Sequence, residues 1–355
     1  MADRGHRQRL IIGSVIGVAI LGYLLWFPQQ QAPADVRLWT TALYFGIAAM
    51  GLNLLTGYNG QVSIGHGAFF GIGAYTTAIL VSDHGWSLVA TIPVAAALAF
   101  VVGVAVGVPA LRVKGLYLAL VTLGLAVVFP DLTKKFVRGV GGTNLVRVPS
   151  ASLQPPAWVP GGLASDQWGF YLALTVSLLL LLGVWLLVRG RFGRALIAVR
   201  DHEAAATTVG VNLARTKVLA FALSALYAGV AGSLSVQVTG IANAEKIGTF
   251  NLSILFLVAV VIGGTATVVG PLIGGFLVVM IQEWTTDFVA DPPVLADFLS
   301  GKEVLSPAIF GVLLIVLMYF LPDGIVGGFR RLLRRFVTRR RDPTGPEPLT
   351  APVPT

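Results

Sequence analysis

A chain of 355 residues that is 55% hydrophobic and 12% charged, with a mean hydropathy of +0.82, is not a soluble domain, where about 25% of residues are charged. A net charge of +9 and a pI near 10.1 would point to nucleic acid in a soluble protein; here most of the excess flanks apolar runs, as when Lys and Arg hold loops in the cytoplasm. Zero cysteines exclude disulfides, thiolate metal sites and cysteine nucleophiles.

The class is therefore an all-α polytopic membrane protein. At about 20 residues per span, the length holds roughly ten transmembrane helices, with both basic termini inside. Residues 1–9 form a basic cytoplasmic N-terminus carrying Arg4, Arg7 and Arg9, and residues 10–328 the membrane domain. Leu10 to Phe27 is an apolar run stopped by Pro28. It is longer than the about 7–15 residues of a signal-peptide core and is expected to be a retained helix, with cleavage at Ala32-Pro33-Ala34 the alternative. Leu38 to Thr56 is the second span.

Gly51 to Tyr75 holds seven glycines, together with Asn53, Tyr58, Asn59, Gln61, Ser63 and His66. Each interior glycine costs a helix roughly 0.5–1 kcal/mol relative to alanine, and unsatisfied polar groups in lipid cost several kcal/mol. Such a stretch persists where irregular backbone is buried in protein or lines a polar cavity. Two readings follow: a discontinuous segment at a transport pathway, or a cytoplasmic hairpin between spans with Gly67 and Gly71 as a helix-packing pair.

Ala68 to Val81 returns through the membrane. Ser87 to Leu111 follows, with Gly103 and Gly107 on a small-residue face and Arg112 and Lys114 at its cytoplasmic end. Gly115 to Phe129 crosses next. Residues 131–167 are expected as an external loop, containing Lys134, Lys135, Arg138 and Gly141-Gly142-Thr143-Asn144. Trp168 to Val188 crosses inward, with Trp168 and Trp284 as interfacial anchors. Residues 190–217 are a polar cytoplasmic loop, and Val218 to Val238 crosses outward.

Asn251 to Gly264 and Val268 to Trp284 are separated by a second glycine-broken region containing Gly263, Gly264 and Gly270. Transport pathways built from two interrupted segments are known in other folds. Val304 to Leu321 is the last span. Residues 329–355 form an arginine-rich anchor with affinity for anionic lipid, then a proline-rich disordered tail.

Tyr58-Asn59-Gly60-Gln61-Val62-Ser63-Ile64-Gly65-His66-Gly67-Ala68-Phe69 resembles the hallmark of permease subunits of branched-chain amino acid ABC importers, the LivM type. Arg112 to Gly124, Gly141-Gly142-Thr143-Asn144 and Gly263-Gly264-Thr265 with Gly270-Pro271 share it, and the likeness covers roughly Thr40 to Gly324. Within residues 190–217, Arg200-Asp201-His202-Glu203-Ala204-Ala205-Ala206 through Gly210 resembles the coupling loop by which such permeases dock their ATPase. Glu203 lies seven residues before Gly210, one more than in the common pattern.

The resemblance implies an ABC importer permease fold and a translocation pathway near Asn53, Tyr58, Asn59, Gln61, Ser63 and His66. Helix packing falls to Gly67, Gly71, Gly263, Gly264 and Gly270, and ATPase coupling to Glu203, Ala204, Ala205 and Gly210. It implies a bacterial cytoplasmic membrane and, as partners, a second LivH-type permease, two ATP-binding subunits and an extracytoplasmic solute-binding protein. Substrates would be branched-chain or related small amino acids, with urea or short-chain amides the alternative.

The chain has no phosphate-binding loop, so ATP would be bound by the partners, with no cofactor or metal here. His6, His66, His84 and His202 are scattered, and no nucleophile–base set appears. A stand-alone secondary transporter would need intramembrane ionisable residues, which the central parts of the expected spans lack. Glu245, Lys246, Asp287, Asp291, Lys302 and Glu303 fall on the outer side, where a binding protein would dock.

Overall fold

In a computed structural model, residues 22–112, 115–137, 145–156, 158–159, 162–290, 305–321, 324–328, and 331 are described. The expectations for Met1 to Arg9, most of Leu10 to Phe27, Lys114, Arg138, Gly141 to Asn144, Asp291, Lys302, Glu303 and nearly all of residues 329–355 lie outside them.

Helix α1, Pro33–Asn53, begins at a proline that needs no N–H partner in a first turn, with Asp35 favourably placed at the positive end of the helix dipole. It runs on into a π-helical turn, Leu54–Tyr58. Helix α2, His66–His84, ends at Gly85 in the left-handed conformation. Helix α3, Leu88–Ala110, and α4, Leu116–Phe136, follow. The next elements are β1, Leu145–Arg147, and α5, Ser165–Arg189.

Two short helices, α6 (Arg191–Asp201) and α7 (Glu203–Thr208), lead into α8, Leu213–Thr239. Strand β2, Ile241–Asn243, pairs antiparallel with β1, Val146 opposite Ala242. Then come α9, Phe250–Gly263, α10, Gly270–Ala290, and α11, Leu305–Phe320.

Among the described residues, six helices are long and apolar enough to cross a membrane: Pro33–Tyr58, Leu88–Ala110, Tyr117–Lys135, Ser165–Arg189, Leu213–Thr239 and Ala308–Gly328. In α1 and α8, 78% of the central window is buried, against 22% in α3 and α5. So α1 and α8 form the core, and α3 and α5 present apolar faces outward, as membrane helices do where lipid is as apolar as the interior.

The inner helices meet through small residues. A Cβ on Gly73 of α2 would overlap the backbone of Gly229 in α8, and one on Gly232 would overlap the carbonyl of Phe70. Gly103 and Gly107 of α3 likewise face α8. At this contact Thr91 Oγ1 donates to Thr77 Oγ1 at 3.1 Å, and Thr77 shares a 2.6 Å hydrogen bond with Ser233. Hydroxyl bonds of this kind join membrane helices at about 0.6–2 kcal/mol each.

Two expected boundaries and one expected anchor differ. The external loop was expected from residue 131, but α4 passes through Pro130 to Phe136. Membrane helices tolerate interior proline, and beyond it Thr133 Oγ1 lies 2.7 Å from the Pro130 carbonyl and 3.2 Å from that of Phe129, a local bond of the following turn. The crossing expected from Val218 starts earlier, at Leu213, because Asn212 caps α8, accepting the Arg215 N–H at 2.9 Å. Trp168 is no lipid anchor: it is buried, edge-on to exposed Trp158.

Candidate functional site

After Tyr58 the chain doubles back. Gln61 N–H donates to the Leu55 carbonyl at 3.0 Å, and Thr56 Oγ1 donates to the Gln61 carbonyl at 3.1 Å. Ile64 N–H reaches Thr122 Oγ1 of α4 at 3.0 Å. His66, which opens α2, places Nε2 2.9 Å from the carbonyl of Ala48. Ala48 lies ten residues before Tyr58, about 15 Å back along a helix. Residues 59–65 thus re-enter the fold as irregular, mostly buried backbone.

His66 is buried, with Nδ1 3.4 Å from Ser224 Oγ of α8 and its ring edge-on to Phe256 of α9. Nε2–H donates to Ala48, and Nδ1 faces the serine hydroxyl. Both ring nitrogens are engaged between helices, so the histidine joins α1, α2, α8 and α9 as a packed donor.

The second break closes onto the first. Gly263 and Gly270 touch through their backbones, and Gly264 has φ 110°. Ala266 sits between them at φ 54°, a left-handed conformation uncommon for alanine. Asn53 holds it there: Oδ1 accepts the Ala266 N–H at 2.9 Å, and Nδ2 donates to the Thr267 carbonyl at 2.8 Å. Gly57 lies against both Asn53 Oδ1 and Ala266 N, where no side chain fits.

Gly67 and Gly71 face the other way. A Cβ on Gly67 would meet Thr249 O and Ser253 Oγ, and one on Gly71 would meet the Phe129 ring and Gly248. Gly67 N–H, one of the orphan donors of the first turn of α2, is satisfied by Ser253 Oγ at 2.9 Å. These glycines admit the loop before α9 and do not line the polar region.

Helices α6 and α7 form an arm against the base of the re-entrant segment. Arg200 Nη1 donates to the Gly57 carbonyl at 3.0 Å, and Arg200 pairs with Asp201. Glu203 Oε1 accepts from Lys217 Nζ of α8 at 2.6 Å. Ala206 is buried; Ala204, Ala205 and Gly210 are exposed, and Gly210 has φ 84° with open space around its α-carbon. Glu203 therefore fastens the arm to α8, and the two alanines and the glycine present a bare outward surface.

Between arm and segment lies a cavity of about 330 Å³, bordered by Asn59, Gln61, Leu118, Arg200, Glu203 and Lys217. Asn59, Gln61 and Ser63 are buried, as is Tyr58. Both amide atoms of Asn59, Oε1 of Gln61 and Oγ of Ser63 have no hydrogen-bond partner among the described residues. The structure thus gathers Asn59 and Gln61 at the cavity and assigns Asn53 and His66 to joints between helices.

Sequence reasoning gave Arg200, Lys217, Thr122 and Thr267 no individual role, although Arg200 and Thr122 lie within the quoted motifs. Only Lys217 left a signal: a cation adjoining an apolar run needs a partner. The hydroxyl roles depend on which backbone groups the fold brings near, and no local pattern records that.

The helices and their packing define a multi-pass α-helical membrane protein. The sequence profile of the family described as "Branched-chain amino acid transport system / permease component" matches residues 36–322, and the chain belongs to this family. It is 29% identical over 328 residues to the high-affinity branched-chain amino acid transport system permease protein LivM of Escherichia coli (strain K12), covering 87% of this chain and 74% of that protein. It is 26% identical to the LivH permease of the same organism, covering 85% and 96%. It is also 26% identical to a probable LivH permease of Methanocaldococcus jannaschii, covering 82% and 91%. No solved structure matches the chain.

Proposed function

We propose that this chain is the membrane-spanning permease subunit of a binding-protein-dependent ABC importer, forming part of the pathway for branched-chain or related small amino acids. Its partners are a second, related permease, two ATP-binding subunits and an extracytoplasmic solute-binding protein. It spans a bacterial cytoplasmic membrane with about ten helices, both termini and the α6–α7 arm inside.

The observation that carries this reading is the bond from Arg200 to the Gly57 carbonyl. It ties a helical arm with an exposed Ala204, Ala205 and Gly210 surface directly to the re-entrant segment, so a push on the arm reaches the broken backbone. The chain contains no phosphate loop, and the push must come from another subunit. The central parts of the expected spans carry no Asp, Glu, Lys or Arg, which suits a neutral or zwitterionic cargo.

The test is reconstitution of the assembled importer in vesicles. Uptake should require ATP and the binding protein and should persist when ionophores collapse ion gradients. Uptake driven by a proton or sodium gradient without ATP would refute the reading.

A further inference from the structure

The cavity beneath the re-entrant segment has three chemically distinct walls. One is formed by Asn59 and Gln61, which are 3% and 9% exposed and leave three amide atoms unpartnered among the described residues. Buried polar groups are rarely left so, and an unpartnered one calls for an explanation such as a bound ligand. The second wall carries both charges: Arg200 and Lys217 against Asp201 and Glu203. The third is apolar, from Val62, Leu118 and Val199. A volume of about 330 Å³ is at the small end of ligand sites.

The charges are paired with each other, Arg200 with Asp201 and Lys217 with Glu203, so a lone anion or cation meets no uncompensated opposite charge. A zwitterion with a short apolar side chain satisfies all three walls. Its carboxylate faces Lys217, Arg200 and the Asn59 amide nitrogen, its ammonium faces the amide oxygens of Asn59 and Gln61, and its side chain lies on Val62 and Leu118. We propose that this cavity is a cytoplasm-facing binding site for a free aliphatic α-amino acid, through which accumulated product slows the importer.

The site lies between two parts of the fold. Asn59 and Gln61 belong to the re-entrant segment, whereas Arg200, Asp201 and Glu203 belong to the arm. A ligand touching both holds them in one relative position. If ATP turnover requires the arm to move against the segment, the ligand opposes turnover to the extent that it prefers the held state. This inference rests on the importer reading above, and the experiment separates the two.

The assembled importer in vesicles, ATP-binding subunits facing the lumen, is loaded with ATP and either with L-leucine, isovalerate or isoamylamine, or with none of them. ATP hydrolysis should fall at least fivefold with lumenal leucine and remain unchanged with isovalerate, which lacks the ammonium, or isoamylamine, which lacks the carboxylate. The ratio of hydrolysis with and without leucine should return to about one in Asn59→Leu and in Val62→Trp, which fills the cavity from an exposed position. Radiolabelled leucine should bind the detergent-purified wild-type complex and not the Val62→Trp complex. Equal inhibition by isovalerate, or ATP-dependent uptake with no response to lumenal leucine, overturns the product site and leaves the importer reading intact. Absence of ATP-dependent uptake overturns the importer reading, and absence of Val62-sensitive leucine binding then overturns the site as well.

Discussion

The side chain of Asn53 closes a pair of hydrogen bonds onto the backbone of Ala266 and Thr267, 2.9 and 2.8 Å long, and so joins two glycine-broken segments more than two hundred residues apart. An amide presents a donor and an acceptor side by side, matching the N–H of Ala266 and the carbonyl of Thr267. Asn53→Ala leaves the buried Thr267 carbonyl and the part-buried Ala266 N–H unpaired, the buried one costing about 1–3 kcal/mol. The variant should unfold at a clearly lower temperature in detergent. Asn53→Asp keeps the acceptor for Ala266 but sets a buried carboxylate against the Thr267 carbonyl, so it should be destabilised at least as much. An unchanged melting temperature in both would show that the clamp contributes nothing.

The pair between Lys217 and Glu203 joins the arm to α8. Lys217 is buried, with a side chain 9% exposed, whereas that of Glu203 is 37% exposed. Removing the carboxylate strands a buried cation, which is destabilising; replacing both partners by uncharged groups is much less so. Glu203→Gln should impair transport more than the double variant Glu203→Gln, Lys217→Met. A double-mutant cycle should give a coupling of about 0.5–3 kcal/mol in stability. Strict additivity would sever the proposed link.

Ala205 is exposed on α7. Ala205→Glu should therefore insert in the membrane and fold at wild-type levels. Its effect should arise in the assembled importer, where bulk and an unpaired charge enter a closed contact. Uptake should be lost, with reduced co-purification of the ATP-binding subunits. Wild-type uptake by this variant would remove the docking assignment from the arm.

Gly71 abuts the Phe129 ring and the backbone of Gly248. The ring can shift; the backbone of the loop before α9 has less freedom. Gly71→Leu should force α2 away from that loop and disturb the Ser253 bond to Gly67, with a destabilisation of about 1–3 kcal/mol from overpacking. Gly71→Ala should be milder. Loss of assembled complex on native gels checks this, and full assembly of the leucine variant would contradict it.

Composition and apolar runs alone determined the class. Charge is too sparse and apolar length too great for anything but a multi-pass helical protein, because lipid demands that backbone bonds close within helices. The glycine and amide cluster at residues 51–75 and the glycine cluster at 263–271 were equally legible, since both residue types are costly in an undisturbed membrane helix. The meeting of the two clusters was not legible. The Asn53 clamp, the return of residues 59–65 beside α1, and the Lys217–Glu203 joint each depend on positions distant in the chain or on backbone direction. The span expected over Gly115 to Phe129 does not stop there, and α4 continues through Pro130 to Phe136. Local propensity sets where a helix weakens; only the surrounding side chains decide whether it breaks and what its freed polar groups find.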